Sequence, residues 1–159
     1  MSVKLDAIDT RILKELQADG RLTNVALSAR VGVTPPPCLR RVRALEEAGY
    51  ITGYHAAMDE RRLGFAVSAY AMVGLYSQSE TDLRAFENRV LAWPLVRSCD
   101  YLAGETDFIL RCVAPDLQAF QDFVTRDLTS APNVATVKTF LSIRSVKREP
   151  GVPIGQLRA

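Results

Sequence analysis

Apolar residues recur every three or four positions near the start of the chain, at Leu5, Ile8, Ile12, Leu13 and Leu16. That spacing predicts a helix with one packed face, capped by Asp6 and stopped at Asp19-Gly20. A second helical pattern follows Thr23, a suitable cap, with Ala26, Leu27, Ala29 and Val31 as packing residues before Gly32. Thr34 reads as the cap of a third helix, which opens on Pro35-Pro36-Pro37 and ends before Gly49. Proline at the first helical position costs nothing, and the next two are tolerable because the whole first turn lacks internal amide partners. Residues 50–55, Tyr50-Ile51-Thr52-Gly53-Tyr54-His55, predict a short extended hairpin, and residues 59–64 a polar linker.

Beyond the linker the period changes. Residues 67–76 alternate, with Val67, Val73 and Leu75 set against Ser68, Tyr70 and Tyr76, which predicts a strand. Ser79 caps a helix whose inward residues are Leu83, Phe86, Val90 and Leu91. Residues 95–102 and 108–113 predict two strands. Pro115-Asp116 opens a helix with Leu117, Phe120, Phe123, Val124 and Leu128 inward. Residues 134–146 predict a long last strand. Strand, helix, strand, strand, helix, strand is the split βαβ order of ferredoxin-like domains. The expected class is therefore α+β: a helix-turn-helix domain over residues 1–64, a βαββαβ sandwich over 65–150, and a tail over 151–159. A single sheet with both helices on one face leaves the other bare. Tyr70, Met72 and Tyr76, with apolar members of the last strand, would expose too much apolar surface on a monomer, so the second domain is expected to form a homodimer.

The charge pattern singles out the third helix. The formal net charge is only +2, but residues 1–64 hold ten Lys/Arg against eight Asp/Glu, and residues 65–159 ten against ten. From Gly20 to Leu45 there are five arginines, Arg21, Arg30, Arg40, Arg41 and Arg43, and no acid. On a helical wheel centred on Val42, residues Cys38, Leu39 and Leu45 fall on the packed side. Arg40, Ala44, Pro36 and Pro37 point away, with Arg41 and Arg43 at the flanks. A helix, a glycine turn and a second helix with an apolar start and a cationic middle suit insertion into a DNA major groove.

Other chemistry is thin. Cys38, Cys99 and Cys112 are odd in number, widely spaced and without a CxxC, and His55 is the lone histidine, so neither a disulfide framework nor a metal site is expected. No nucleophile elbow, phosphate loop, dinucleotide fingerprint or paired carboxylates appear, which argues against an enzyme and gives no reason for a cofactor. No apolar run approaches the ~18 residues of a membrane helix, and the first six residues lack the apolar core of a signal peptide, so a cytoplasmic location is expected. Two rival readings stand beside DNA recognition: an effector-sensing or interaction module without productive DNA binding, and a redox switch through Cys38. The intact caps and the acid-free arginine window weigh against the first, and the packed position of Cys38 against the second.

The chain resembles the Lrp/AsnC family of feast/famine transcriptional regulators almost end to end. The resemblance rests on Leu5-Asp6 to Ile12-Leu13, on Arg21-Leu22-Thr23 to Val31-Gly32-Val33, and on Leu39-Arg40-Arg41-Val42 through Leu45-Glu46-Glu47-Ala48-Gly49-Tyr50-Ile51. It continues through Leu63-Gly64, residues 96–99, Gly104 to Phe108, and residues 134–147. It implies a winged-helix-like DNA-binding domain, then a ligand-sensing αβ sandwich whose dimers gather into tetramers or octamers. It further implies a small effector, usually an amino acid, bound where dimers meet. On this chain the implied effector loop is Tyr101-Leu102-Ala103-Gly104-Glu105-Thr106-Asp107, with Gly104 and Asp107 matching the motif, and residues 140–142 influence the response. The caps and the helical wheel make Thr23, Thr34, Pro36, Pro37, Arg40, Arg41 and Arg43 the expected DNA contacts. The triple proline departs from the common pattern. The loop also has a reading of its own: Gly104 permits backbone geometries closed to other residues, and Glu105 and Asp107 could accept hydrogen bonds from an α-amino group.

Overall fold

The computed structural model describes residues 5–156, which form two compact units. One comprises the chain up to Ala57 together with the segment from Lys147 onward; the other is Met58–Val146.

The first unit is built on three helices, α1 (Ala7–Ala18), α2 (Asn24–Val31) and α3 (Pro35–Glu47). Asp6 starts α1 through a reciprocal cap: its carboxylate accepts from the Ile8 and Asp9 amides at 2.8 Å each, and the Asp9 carboxylate accepts from the Asp6 amide at 3.1 Å. Thr23 caps α2 by accepting from the Ala26 amide at 3.1 Å. Gly32 then turns the chain at φ +78°, a left-handed geometry that glycine adopts without strain. Ile12, Leu27, Val31, Cys38 and Leu45 form the buried centre.

Thr34 sits at the cap position of α3, yet its hydroxyl accepts nothing from the helix. A capping oxygen takes its hydrogen bond from the second or third helical amide. Those positions are Pro36 and Pro37, which have none. The first turn is closed instead by the Cys38 amide on the Thr34 carbonyl, at 3.2 Å.

Two expectations change here. No strand forms over residues 50–57, so the hairpin is absent. The Tyr50 and Ile51 amides both return to the Leu45 carbonyl, and the Tyr54 hydroxyl donates to Glu46 Oε1 at 2.9 Å, which folds the segment back on the end of α3. Residues 152–154, within the expected tail, are packed as well. Gln17 on α1 exchanges two hydrogen bonds with the Val152 backbone, at 2.7 and 3.1 Å, and Ile154 is buried.

The second unit holds β1 (Val67–Leu75), α4 (Glu80–Leu91), β2 (Val96–Tyr101), β3 (Phe108–Ala114), α5 (Leu117–Phe123) and β4 (Val134–Leu141). The sheet order is β2-β3-β1-β4, with every pair antiparallel. The inward row of β1, Ala69, Ala71, Val73 and Leu75, packs with Phe86 and Val90 of α4 and Phe120 and Phe123 of α5, so both helices cover one face. Ser79 and Asp116 cap α4 and α5 through the Asp82 and Ala119 amides. Leu91 and Leu117, expected inward, are 85% and 51% exposed. Leu91 lies one residue, about 100°, past the Phe86–Val90 stripe, and Leu117 is the first residue of its helix. A π-helical turn, Val124–Leu128, extends α5. In a regular helix Asp127 would fall under Phe120; the wider turn brings Leu128 there and leaves Asp127 exposed. Residues 59–65 are a folded turn of this unit rather than a linker, with Glu60 paired to Arg111 of β3 at 2.6 Å.

Candidate nucleic-acid interface and effector loop

The outer face of α3 is an open concavity lined by Pro36, Leu39, Arg40, Arg43, Ala44 and Glu47. Pro36, Arg40 and Arg43 are exposed, Pro37 half-buried, and Thr23 and Thr34 exposed at the starts of their helices. Because prolines fill its first turn, α3 offers no row of unpaired amides to a phosphate, the usual anion site of a helix start. What it offers is an apolar step, two guanidinium groups and the uncommitted Thr34 hydroxyl.

Arg41 faces the other way. The wheel set it at a flank, but its Nη1 donates to Asp6 Oδ2 at 2.7 Å and to Asp9 Oδ1 at 2.8 Å. Its side chain is 32% exposed, and that of Asp9 only 10%. The inward stripe of α3 is thus Cys38, Arg41 and Leu45, while Leu39, expected on the packed side, is 39% exposed. Spacing alone could not rank an arginine above a leucine for that stripe; the signal was the pair of acids on the first helix. The same contacts act on titration. The Asp9 amide, aided against desolvation by Arg41 and the Ile8 amide, holds the Asp6 carboxyl below its ordinary value. Arg30 is also engaged, with Glu15 of α1 at 3.0 Å.

The loop between β2 and β3 divides into an outer and an inner part. Tyr101, Ala103, Gly104 and Glu105 are exposed, and Leu102 and Thr106 half-buried. The Tyr101 ring leans on Phe108, centroids 5.2 Å apart. Asp107 is buried, and both its oxygens are taken: Oδ2 accepts from the Leu75 amide at 2.6 Å and Oδ1 from Gln78 Nε2 at 2.7 Å. Its own amide donates to the Val73 carbonyl at 3.0 Å, and its carbonyl accepts from the Leu102 amide at 2.8 Å. Asp107 therefore fastens the loop to the end of β1, with one carboxylate oxygen on the Leu75 amide and the other on the Gln78 side chain. Next to it, Asn133, in the left-handed region at φ +67°, clasps the Ser77 backbone through both ends of its amide, at 2.9 and 2.8 Å.

The bare sheet face carries Tyr70 opposite Phe140 and Met72 opposite Ile109. Tyr70 is 39% and Phe140 52% exposed. Tyr76 lies past the end of β1.

Known proteins match this chain over both units. Residues 5–52 fit the model of the winged helix-turn-helix DNA-binding domain, and residues 68–152 that of the Lrp/AsnC ligand binding domain. The chain belongs to the Lrp/AsnC family of transcriptional regulators. It is 57% identical to the leucine-responsive regulatory protein of Rhizobium meliloti, over 91% of this chain and 93% of that one. It is 43% identical to the Bkd operon transcriptional regulator of Pseudomonas aeruginosa, over 95% and 99%. A transcriptional regulator from Neisseria meningitidis, solved as its L-Met complex, superposes with a TM-score of 0.90 at 36% identity, covering 95% of this chain and 97% of that one. The regulator thus has a DNA-binding unit and a ligand-binding unit, and its relatives are regulators, not enzymes. Among the described residues no helix is long and apolar enough to cross a membrane.

Two outcomes follow from this geometry. Asp107→Ala leaves the buried Leu75 amide unpaired and should cost about 1–3 kcal/mol in urea unfolding; an unchanged midpoint would contradict the role given to this carboxylate. Because the folded Asp6 is more acidic than the unfolded value of 3.8, its contribution is complete above that pH and lost as pH falls through the lowered folded value. Melting followed by circular dichroism from pH 6 to pH 3 should show Asp6→Asn losing less stability than wild type below about pH 4. Equal losses would contradict it.

Proposed function

We propose that the regulator binds operator DNA as a homodimer through the outer face of α3 and adjusts its assembly when an amino acid binds beside residues 101–107. The observation that carries the DNA half is the exposed pair Arg40 and Arg43 behind the proline step. Arg40 and Arg43 take guanine edges or phosphates, Pro36 and Pro37 make apolar contact with a thymine methyl, and the Thr23 and Thr34 hydroxyls donate to phosphates. The dimer forms by pairing the bare sheet faces, with Tyr70, Met72 and Phe140 at its centre and Tyr76 at its margin. Dimers then gather into tetramers or octamers, as the family resemblance implies, and the regulator works in the cytoplasm.

The effector half is supported by the ligand-binding domain match and by the L-Met complex of the Neisseria relative. On this chain the exposed arc Tyr101, Ala103, Gly104 and Glu105 meets the ligand, with Glu105 accepting from an α-amino group and Leu102 and Thr106 flanking. Asp107 takes part by holding the arc in shape. An effector shifts assembly only through unequal affinity for two states, and a coupling of roughly 1–3 kcal/mol moves DNA affinity about 5–150-fold. A thermal-shift screen against the amino acids identifies it, since a ligand selective for the native state raises the melting temperature.

Arg40→Ala should weaken operator binding by about 1–3 kcal/mol if it grips a guanine, or shrink the salt slope by about one unit if it grips a phosphate. Wild-type gel shifts for both Arg40→Ala and Arg43→Ala would end the assignment of this face. Tyr70→Glu with Met72→Glu should yield monomers by light scattering at micromolar concentration, because charges would be buried between the sheets. A double variant that keeps the wild-type mass would place the dimer contact elsewhere.

A further inference from the structure

We infer that Arg41 is a positioning residue of DNA recognition: it touches no DNA, and by gripping Asp6 and Asp9 it sets the rotation and depth at which α3 presents Arg40 and Arg43. The inference rests on α3 being the reader and deepens that reading.

Three observations converge. One Arg41 nitrogen reaches both carboxylates, at 2.7 and 2.8 Å, across 35 and 32 residues of sequence. Those carboxylates are the two halves of the cap that starts α1, so the contact joins the beginning of one helix to the middle of another. Arg41 is also flanked along α3 by Cys38 and Leu45, which are 0% and 1% exposed. It therefore points about 100° round the helix from Arg40 and about 160° from Arg43, away from the face those two share.

The need for such a grip follows from the sequence of α3. Its first three residues are prolines, its cap oxygen makes no bond to it, and its first internal hydrogen bond is the 3.2 Å contact of Cys38 with Thr34. The start of the helix is held by packing and by the Asn24 amide, which donates to the Pro35 carbonyl at 2.8 Å. A directional contact one turn further on adds an angular constraint to the rotation that the Cys38 and Leu45 stripe restricts by packing alone. Bringing Arg41 to a phosphate would strand the Asp9 carboxylate, 10% exposed, beside a polyanion.

The test compares the full chain with Arg41→Gln, Arg41→Lys, Asp9→Asn and Arg40→Ala. Each is titrated with a duplex that the wild type selects from a random pool and with a random-sequence duplex, over a range of salt, at a temperature where circular dichroism shows it folded. Expected are an operator affinity about tenfold lower for Arg41→Gln and for Asp9→Asn, partial rescue by Arg41→Lys, and an unchanged salt slope in all three. Random-duplex affinity should stay near wild type. A salt slope lowered by about one unit in Arg41→Gln, together with tighter binding by Asp9→Asn, would overturn the proposal and make Arg41 a phosphate contact. Unchanged operator affinity in both variants, with only a lower melting temperature, would overturn it too and leave Arg41 a stabilising residue alone. Arg40→Ala, read with Arg43→Ala, separates the levels: if either loses affinity while the Arg41 and Asp9 variants do not, only the positioning role falls; if both bind as wild type, the reading helix itself falls, and this proposal with it.

Discussion

A guanidinium held between two carboxylates, Arg41 between Asp6 and Asp9, ties the middle of α3 to the start of α1. The packing of the first unit around it is apolar and nondirectional, made by Ile12, Leu27, Val31, Cys38 and Leu45. Such a core sets how closely the helices approach and which stripe of each turns inward. Charged hydrogen bonds are directional, and this one commits Arg41 inward beside Cys38 and Leu45. With Arg41 committed to α1 and Arg30 to Glu15, the outer face is left to Arg40 and Arg43.

The second unit uses a similar device. Asp107 closes the loop after β2 onto the end of β1 by accepting from the Leu75 amide and from Gln78, and Asn133 fastens the neighbouring turn to Ser77. Both are polar side chains near the rim of a sheet whose helix-covered face is apolar. Fixing the rim in this way leaves residues 103–105 as an exposed arc on a firm base. A ligand-binding loop on a rigid base loses less conformational entropy when its ligand arrives. Family membership gives the two units their tasks, and these contacts show how this chain holds each one in shape.

Much of this was legible in the sequence because it is local. Asp6, Thr23, Ser79 and Asp116 announce helix starts within three residues of the amides they accept, and Gly32 and Gly49 mark helix ends by the backbone geometry they permit. The change of period after residue 66 gave the order of strands and helices, and the alternation in β1 separated Val73 and Leu75 from Tyr70 and Met72. What was not legible depends on distance or on a competing partner. Local spacing does not show the inward direction of Arg41 and Asp107, because their partners lie 29 or more residues away. The Thr34 cap failed because its would-be donors are prolines, a conflict visible in the sequence once the cap and the prolines are weighed together. The hairpin at residues 50–55 lost to the Leu45 carbonyl and Glu46, and the π-helical turn that puts Leu128 inward has no local signature.

On the proposed reading α3 meets DNA with Arg40 and Arg43 while Arg41 stays on the first helix. A crystal structure of the full chain on its selected operator duplex tests it most directly. The account predicts Arg40 and Arg43 within hydrogen-bond distance of bases or phosphates, the Pro36 ring against the groove floor, and Arg41 still bound to both Asp6 and Asp9. An Arg41 side chain released from those carboxylates and placed on a phosphate, or an α3 that does not enter the groove, would contradict it.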